Sequence, residues 1–182
     1  MSTVIDDVRV LLRTTEGSYR PESVDAARVL ADEVRKLETE WETVDVETSI
    51  PDRVFVRADD LLARIFGNLL SNAVEHNDAA TPRVLIAVEP GPETVRFEIA
   101  DNGPGIPEPE RDALFDRVES RGSTHGLGLY LVDRLVARYD GTVELTETGP
   151  EGSRFAVELP AASSERDEKP PEDAAMTALL VE

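Results

Sequence analysis

Asn68 and Asn72, in the stretch NLLSNAVEHN, are two carboxamides four residues apart that would project from one side of a shared helix. A carboxamide oxygen is a hard, neutral ligand suited to magnesium, which prefers oxygen donors and keeps waters beside phosphate oxygens. The same pair would also suit the solvated face of an amphipathic helix. Asp101 closes an alternating apolar run and is followed at once by NGPGIPEPE. Glycines permit positive φ and close backbone approach, while prolines stiffen the turn between them. A carboxylate held there can accept a hydrogen bond from an exocyclic amine such as that of adenine. Guanine would offer a carbonyl instead, leaving a buried acceptor unpaired at a cost of about 1–3 kcal/mol. An ordinary Asx turn uses the same dipeptides. Gly126 and Gly128 open the run GLGLYLVDRLVARY after a polar loop. Free amides at a helix N-terminus, with the helix dipole, favour phosphate by about 0.3–1 kcal/mol per charge, although tight helix packing also selects glycine.

These residues need elements to carry them. Leu61, Leu62, Ile65, Phe66, Leu69, Leu70, Ala73 and Val74 make a broad apolar stripe, and Arg64, Asn68, Asn72 and Glu75 share a polar one, which predicts a helix over DDLLARIFGNLLSNAVEHN. A helix ending near Gly17 is expected from Val4, Ile5, Val8, Leu11 and Leu12, and a second one starting at Ser23 after Pro21. TVDVET and RVFV read as short strands around a turn at Pro51 and Asp52; RVLIAVE and TVRFEIAD read as strands around a Pro-Gly-Pro turn. A brief helical turn is expected around Leu114 and Phe115, a helix from Gly126 to Tyr139, and the final strands TVELTET and SRFAVELP. The sum is an α/β chain: a two-layer α/β sandwich with a mixed sheet of about five strands and helices on one face.

At 182 residues and 40% hydrophobic content the chain suits one core, with the polar, proline-bearing segment 161–182 expected to be a disordered tail. A formal charge of −19 disfavours sequence-independent binding to nucleic acid or anionic lipid. Lys36 and Lys169 are its lysines, so the acidic surface has a lysine-poor, halophilic style. With no cysteine, disulfides, thiolate chemistry and cysteine zinc sites are excluded. No apolar run approaches membrane-spanning length, and the chain reads as cytoplasmic with no membrane contact of its own.

In this order, NLLSNAVEHN, DNGPGIP and GLGLYLV resemble the N box and the two glycine boxes of the GHKL ATP-binding superfamily, most nearly the catalytic domain of sensor histidine kinases of haloarchaeal style. The resemblance spans about residues 20–160 and implies a Bergerat fold, with a mostly antiparallel sheet, binding ATP and Mg2+. It implies that Asn72 holds the metal, that Asn68 stands near the phosphates, and that Asp101 binds the adenine amino group directly and through water. Gly103, Gly105 and Ile106 would shape the adenine slot, Ser153 would assist from the last strand, and His76 could stack on the base as a flat ring. LFDRV resembles the phenylalanine box, making Arg117 a candidate γ-phosphate contact. The loop from about Glu108 to His125, including Thr124, would be the ATP lid, and Gly126, Leu127, Gly128 and Leu129 would close over the phosphates. No Walker A motif competes for this role.

Departures from the pattern shape the expected chemistry. ATP-hydrolysing members of the superfamily carry a glutamate where this chain has Asn68, which cannot act as a base, so phosphoryl transfer is favoured over hydrolysis. Glu75 and His76 occupy places where kinases often carry a basic residue and an aromatic, and Thr124 replaces a usual glycine. Neither His76 nor His125 begins a His-acid pair, so no phosphate acceptor is evident. Residues 1–16 look like the stump of a dimerisation-type helix, 17–160 like the catalytic domain. The expected partner is a histidine-bearing dimerisation domain, in the parent chain or separate, and through it a response regulator. An anti-sigma-type serine kinase and a non-catalytic, nucleotide-gated binding module share the same fold.

Overall fold

The computed structural model describes residues 3–16, 19–116 and 125–163. Five strands form the main sheet in the order β2-β4-β5-β7-β6: β2 (Asp45–Ser49), β4 (Arg83–Pro90), β5 (Thr94–Asp101), β6 (Thr142–Gly149) and β7 (Gly152–Pro160). Only β2 runs parallel to its neighbour, β4; the other pairings are antiparallel. Alternation explains the two faces. Val84, Ile86 and Val88 of β4, Val95, Phe97 and Ile99 of β5, and Phe155, Val157 and Leu159 of β7 are buried. Their partners include Ile65, Phe66, Leu69 and Leu70 of helix α3 (Leu62–Glu75), and Leu131, Leu135 and Val136 of α5 (His125–Arg138). Phe66 and Phe97 meet with ring centroids 5.0 Å apart. Each such side chain contributes on the order of 1.5–3 kcal/mol by leaving water. The opposite face of the sheet carries an ion-pair ladder in which Arg96 reaches Glu98 and Glu158, and Arg154 reaches Glu98 and Glu147. One solvated and one apolar face is the two-layer arrangement expected from the sequence.

The N-terminal half departs from expectation in one respect. Residues Glu22–Asp25 form a strand, β1, paired antiparallel with β3 (Phe55–Ala58), and the helix α2 begins only at Ala26 and runs to Glu40. Ser23 therefore sits in a ladder instead of capping a helix. The pairing lays Val24 beside the fully buried Val56, and that tertiary gain overrides a local capping signal. Around Leu114 and Phe115 the chain makes hydrogen-bonded turns, Leu114 N donating to Arg111 O and Asp116 N to Ala113 O, while the helical turn proper, α4, comes just before them at Glu108–Arg111, with Pro107 at its N-cap and Pro109 in its first turn, where proline's fixed φ and missing N–H cost nothing.

The described chain continues to residue 163. Ala161 forms a bridge with Val56, Ala162 N donates to Phe55 O at 2.9 Å, and Ser23 Oγ donates to Ser163 O at 2.7 Å. Helix α1 (Thr3–Glu16) lies against α5 through Val10, with Asp7 buried beside it. Among the described residues three polar ties reach it: Arg138 Nη1 donates to Thr14 O at 3.3 Å, Arg64 of α3 lies 4.0 Å from Asp7, and Arg13 lies 4.0 Å from Asp60. Asp59, just before α3, accepts from the Tyr139 hydroxyl and from Leu61 N, locking the start of α3 to the end of α5. No helix among the described residues is long and apolar enough to cross a membrane.

Candidate functional site

The carboxylate of Asp101 stands at the end of β5, where the chain leaves the sheet. Its Oδ1 accepts two backbone amides, Gly103 N at 2.9 Å and Ser153 N at 3.3 Å. The loop that follows is locked onto the β6–β7 hairpin. Ile106 N donates to Thr148 Oγ1 at 2.8 Å, and that hydroxyl lies 3.0 Å from Ser153 Oγ. Gly105 takes φ +80°, and a Cβ built there would lie 2.2 Å from Gly149 O, so a side chain is excluded on both conformational and steric grounds. Burial pushes the Asp101 carboxyl above the usual carboxylate range, and the two amides oppose that rise.

The second wall is α3. Its polar stripe turns Asn72 and His76 toward the same space as Asp101, and Asn77 ends the helix beside Gly103. Asn102 fixes that end: its Oδ1 accepts from Asn77 Nδ2 and from Arg83 N, each at 2.8 Å, while its Nδ2 donates to Thr81 O at 3.1 Å. Between the loop and the helix lies a cavity of about 630 Å³, a size usual for small-molecule sites. Pro104, Ile106, Pro107, Leu114, Leu129 and Phe155 supply its apolar lining. Phe155 is braced edge-on by Phe115, with centroids 6.2 Å apart. A slot with apolar walls and one half-buried, prearranged carboxylate suits a flat heteroaromatic ring bearing an amine.

Asn68 lies one turn before Asn72 and does not line this cavity. Its Nδ2 donates to Arg64 O at 2.8 Å, and its Oδ1 faces the first turn of α5, where a Cβ at Gly128 would come within 3.0 Å. From Glu75, the last residue of α3, back to Asn68 the helix axis rises about 10 Å, so the helix links the carboxylate end to the N-terminus of α5. Asn72 offers one neutral amide oxygen between these ends, and no cluster of three His, Cys, Asp or Glu that could hold a metal occurs among the described residues. That donor set fits a cation whose other ligands are phosphate oxygens and water, the usual habit of magnesium.

Residues 58–163 match the family model of the histidine kinase-, DNA gyrase B- and HSP90-like ATPases. The chain belongs to this family. Among curated relatives, the sensor histidine kinase GtrS of Pseudomonas aeruginosa is 34% identical over 102 residues, covering 54% of the chain and 21% of the relative. The adaptive-response sensory kinase SasA of Prochlorococcus marinus is 30% identical over 155 residues, covering 80% of the chain and 42% of the relative. The chain thus spans about a fifth to two fifths of the length of these relatives. Among solved structures, the ATP-binding domain of PrrB from Mycobacterium tuberculosis superposes with a TM-score of 0.66 at 26% identity, covering 80% of the chain and all of that domain. Full-length ShkA in complex with AMPPNP gives a TM-score of 0.74 at 25% identity, covering 89% of the chain and 36% of ShkA. The fold of this chain is that of the ATP-binding catalytic domain of sensor histidine kinases.

Asn72, His76, Asp101, Gly105, Ile106, Leu129 and Ser153, all singled out from sequence, line one cavity. Gly103 is buried behind Asp101, and Leu127 and Gly128 are half-buried in α5, whose backbone begins with His125 and Gly126. Arg117 and Thr124 lie outside the described residues. Sequence reasoning missed Thr148, Asn77, Asn102 and Phe155. Asn77 follows the N box directly and Asn102 follows Asp101, so both lay next to a visible signal; Thr148 and Phe155 carried none.

Proposed function

We infer that this chain is the ATP- and magnesium-binding catalytic domain of a two-component histidine kinase, acting on a histidine of a helical hairpin outside the chain. The observation that carries this reading is the convergence of Asp101, Asn72 and the start of α5 on one cavity and its rim. Asp101 reads the adenine amine, Gly103, Gly105, Ile106 and Ser153 shape the slot around it, and His76 stacks on the ring. Magnesium, held by Asn72, supplies charge neutralisation to the phosphates. Asn68 and the amides of Gly126 to Leu129 orient the triphosphate, with Thr124, His125 and Arg117 closing from the lid. The chain's own contribution is orientation and charge stabilisation, while the partner provides the nucleophile.

The division into a helix stump at 1–16, a catalytic domain at 17–160 and an acidic tail belongs to the same reading. So does a cytoplasmic, halophilic setting, which the acidic surface and sparse lysines support. Relay to a response regulator would follow from the hairpin.

Incubation with a histidine-bearing hairpin protein and γ-labelled ATP tests the assignment. Acid-labile label on the hairpin is the expected outcome. Acid-stable label would replace the reading with a serine kinase, and ATP-dependent complex formation without label would replace it with a binding module.

A further inference from the structure

The outer face of α1 is apolar and uncovered. Ile5, Val8 and Leu12, at i, i+3 and i+7, are 62%, 44% and 58% exposed, while Asp7 and Val10 face inward. Arg9 and Arg13 flank this stripe, with their side chains 74% and 66% exposed and, among the described residues, long contacts to Asp6 and Asp60 at 3.9 and 4.0 Å. On a chain of formal charge −19 this is an apolar strip bordered by two exposed arginines. It fits an acidic segment carrying apolar side chains at helical spacing.

The chain contains such a segment. Residues Ala174 to Glu182, AAMTALLVE, place Ala175, Met176, Leu179 and Leu180 on one helical face, and Asp173 stands where an N-cap belongs. The stretch from Ser164 to Asp173 carries Glu165, Asp167, Glu168, Glu172 and Asp173 against Arg166 and Lys169. Its point of departure favours an intramolecular contact. Ser163 is bonded to Ser23, four residues after Tyr19. The Tyr19 ring lies 5.1 Å from the Arg138 guanidinium, and Arg138 in turn grips Thr14 O at the end of α1. Ten intervening residues reach up to about 33–36 Å, which exceeds the roughly 21 Å length of the fourteen-residue α1.

We propose that the apolar C-terminal segment 174–182 docks on the Ile5–Val8–Leu12 face of α1, with the acidic stretch before it running past Arg9 and Arg13. A segment this short is marginal as an isolated helix, so it folds on contact. A second copy of the chain would bring the arginines of one strip close to those of the other, which the acidic tail avoids. The tail would compete with any hairpin helix for this face, making it a self-shielding device on the side where a partner joins.

Because the chain has no cysteine, a single nitroxide can be placed through Thr177→Cys in the full-length protein. The expected result is strong paramagnetic broadening of the Ile5, Val8 and Leu12 amide signals that persists on dilution. The double variant Leu179→Asp/Leu180→Asp should abolish the broadening, and Arg9→Glu/Arg13→Glu should reduce it, with core signals unmoved. Since these positions lie on the surface of α1 or in the tail, far-UV dichroism checks that folding is intact. Absence of broadening in the parent overturns the proposal. So does broadening that vanishes on dilution, or that passes from a labelled to an isotopically distinct copy, because the occupant is then a second molecule.

Discussion

At one end of the cavity Asp101 is held by backbone: two amides bind its Oδ1, and two glycines, Gly103 and Gly105, leave no room for alternatives. At the other end Asn72 and Asn68 project as side chains from a single helix, and the Asn68 carboxamide stands against Gly128 at the start of α5. The contrast teaches a division of labour. A base-recognition site gains from preorganisation, because one acceptor must meet one amine. A phosphate site must accommodate a cation, water and charge that changes during transfer, and side chains with helix amides can adjust where a sheet-locked loop cannot.

The comparison is broken most severely at Gly105. Gly105→Ala forces a side chain into the carbonyl of Gly149 at positive φ, with an expected stability loss of about 2–4 kcal/mol and loss of measurable ATP binding by calorimetry. Asn72→Ala tests the opposite end: the fold should keep its melting temperature within the usual surface range, while the magnesium dependence of ATP binding disappears. A variant with normal magnesium response would remove Asn72 from the site. Asp101→Asn keeps an oxygen for the Gly103 amide but replaces the charged acceptor, and should weaken ATP binding by about 10- to 100-fold, the worth of a hydrogen bond to a charged group. Unchanged affinity would count against the adenine assignment.

The pH profile sharpens the same point. Asp101 and Asp7 both have carboxyls raised by burial. A raised folded pKa means that the native state binds protons more readily than the unfolded chain, so the stability from these two groups is greatest below the ordinary carboxylate value and falls as pH rises through the raised one. ATP affinity should move the other way, increasing as Asp101 ionises over that window, and Asp101→Asn should flatten the profile in titration calorimetry. The smallest expected effect is at Thr148→Val, which removes the hydroxyl that receives Ile106 N. About 1 kcal/mol of stability should be lost, with an ATP affinity drop of a few-fold; equality with the parent in both assays would show that the hairpin does not steady the loop.

Much of the site was readable in one dimension because its parts are local. A four-residue spacing puts Asn68 and Asn72 on one helical stripe, and glycine and proline after a strand-ending acid announce a constrained loop, without knowledge of what packs nearby. The strands β4 to β7 were legible through alternation for the same reason: one face of the sheet is wet and the other dry. Residues 22–25 were misread since β1 exists only through its pairing with β3, and the capping preference of Ser23 is too weak to resist burial of Val56.

By itself, then, the sequence determined most of the elements, the family motifs and the residue types gathered at the candidate site, because periodicity, turn chemistry and spacing act over a few residues. Tertiary structure decided which of them share a cavity. Ser153 reaches Asp101, and Phe155 the same cavity, only because β7 lies antiparallel beside β5, setting Ala100 opposite Arg154, and Thr148 joins them because β6 pairs with β7. Asn77 and Asn102, 25 positions apart, meet only because the chain leaving α3 passes the end of the central strand β5. Such contacts depend on strand register and layer packing, free-energy terms summed over the whole core, and no local stretch of sequence contains them.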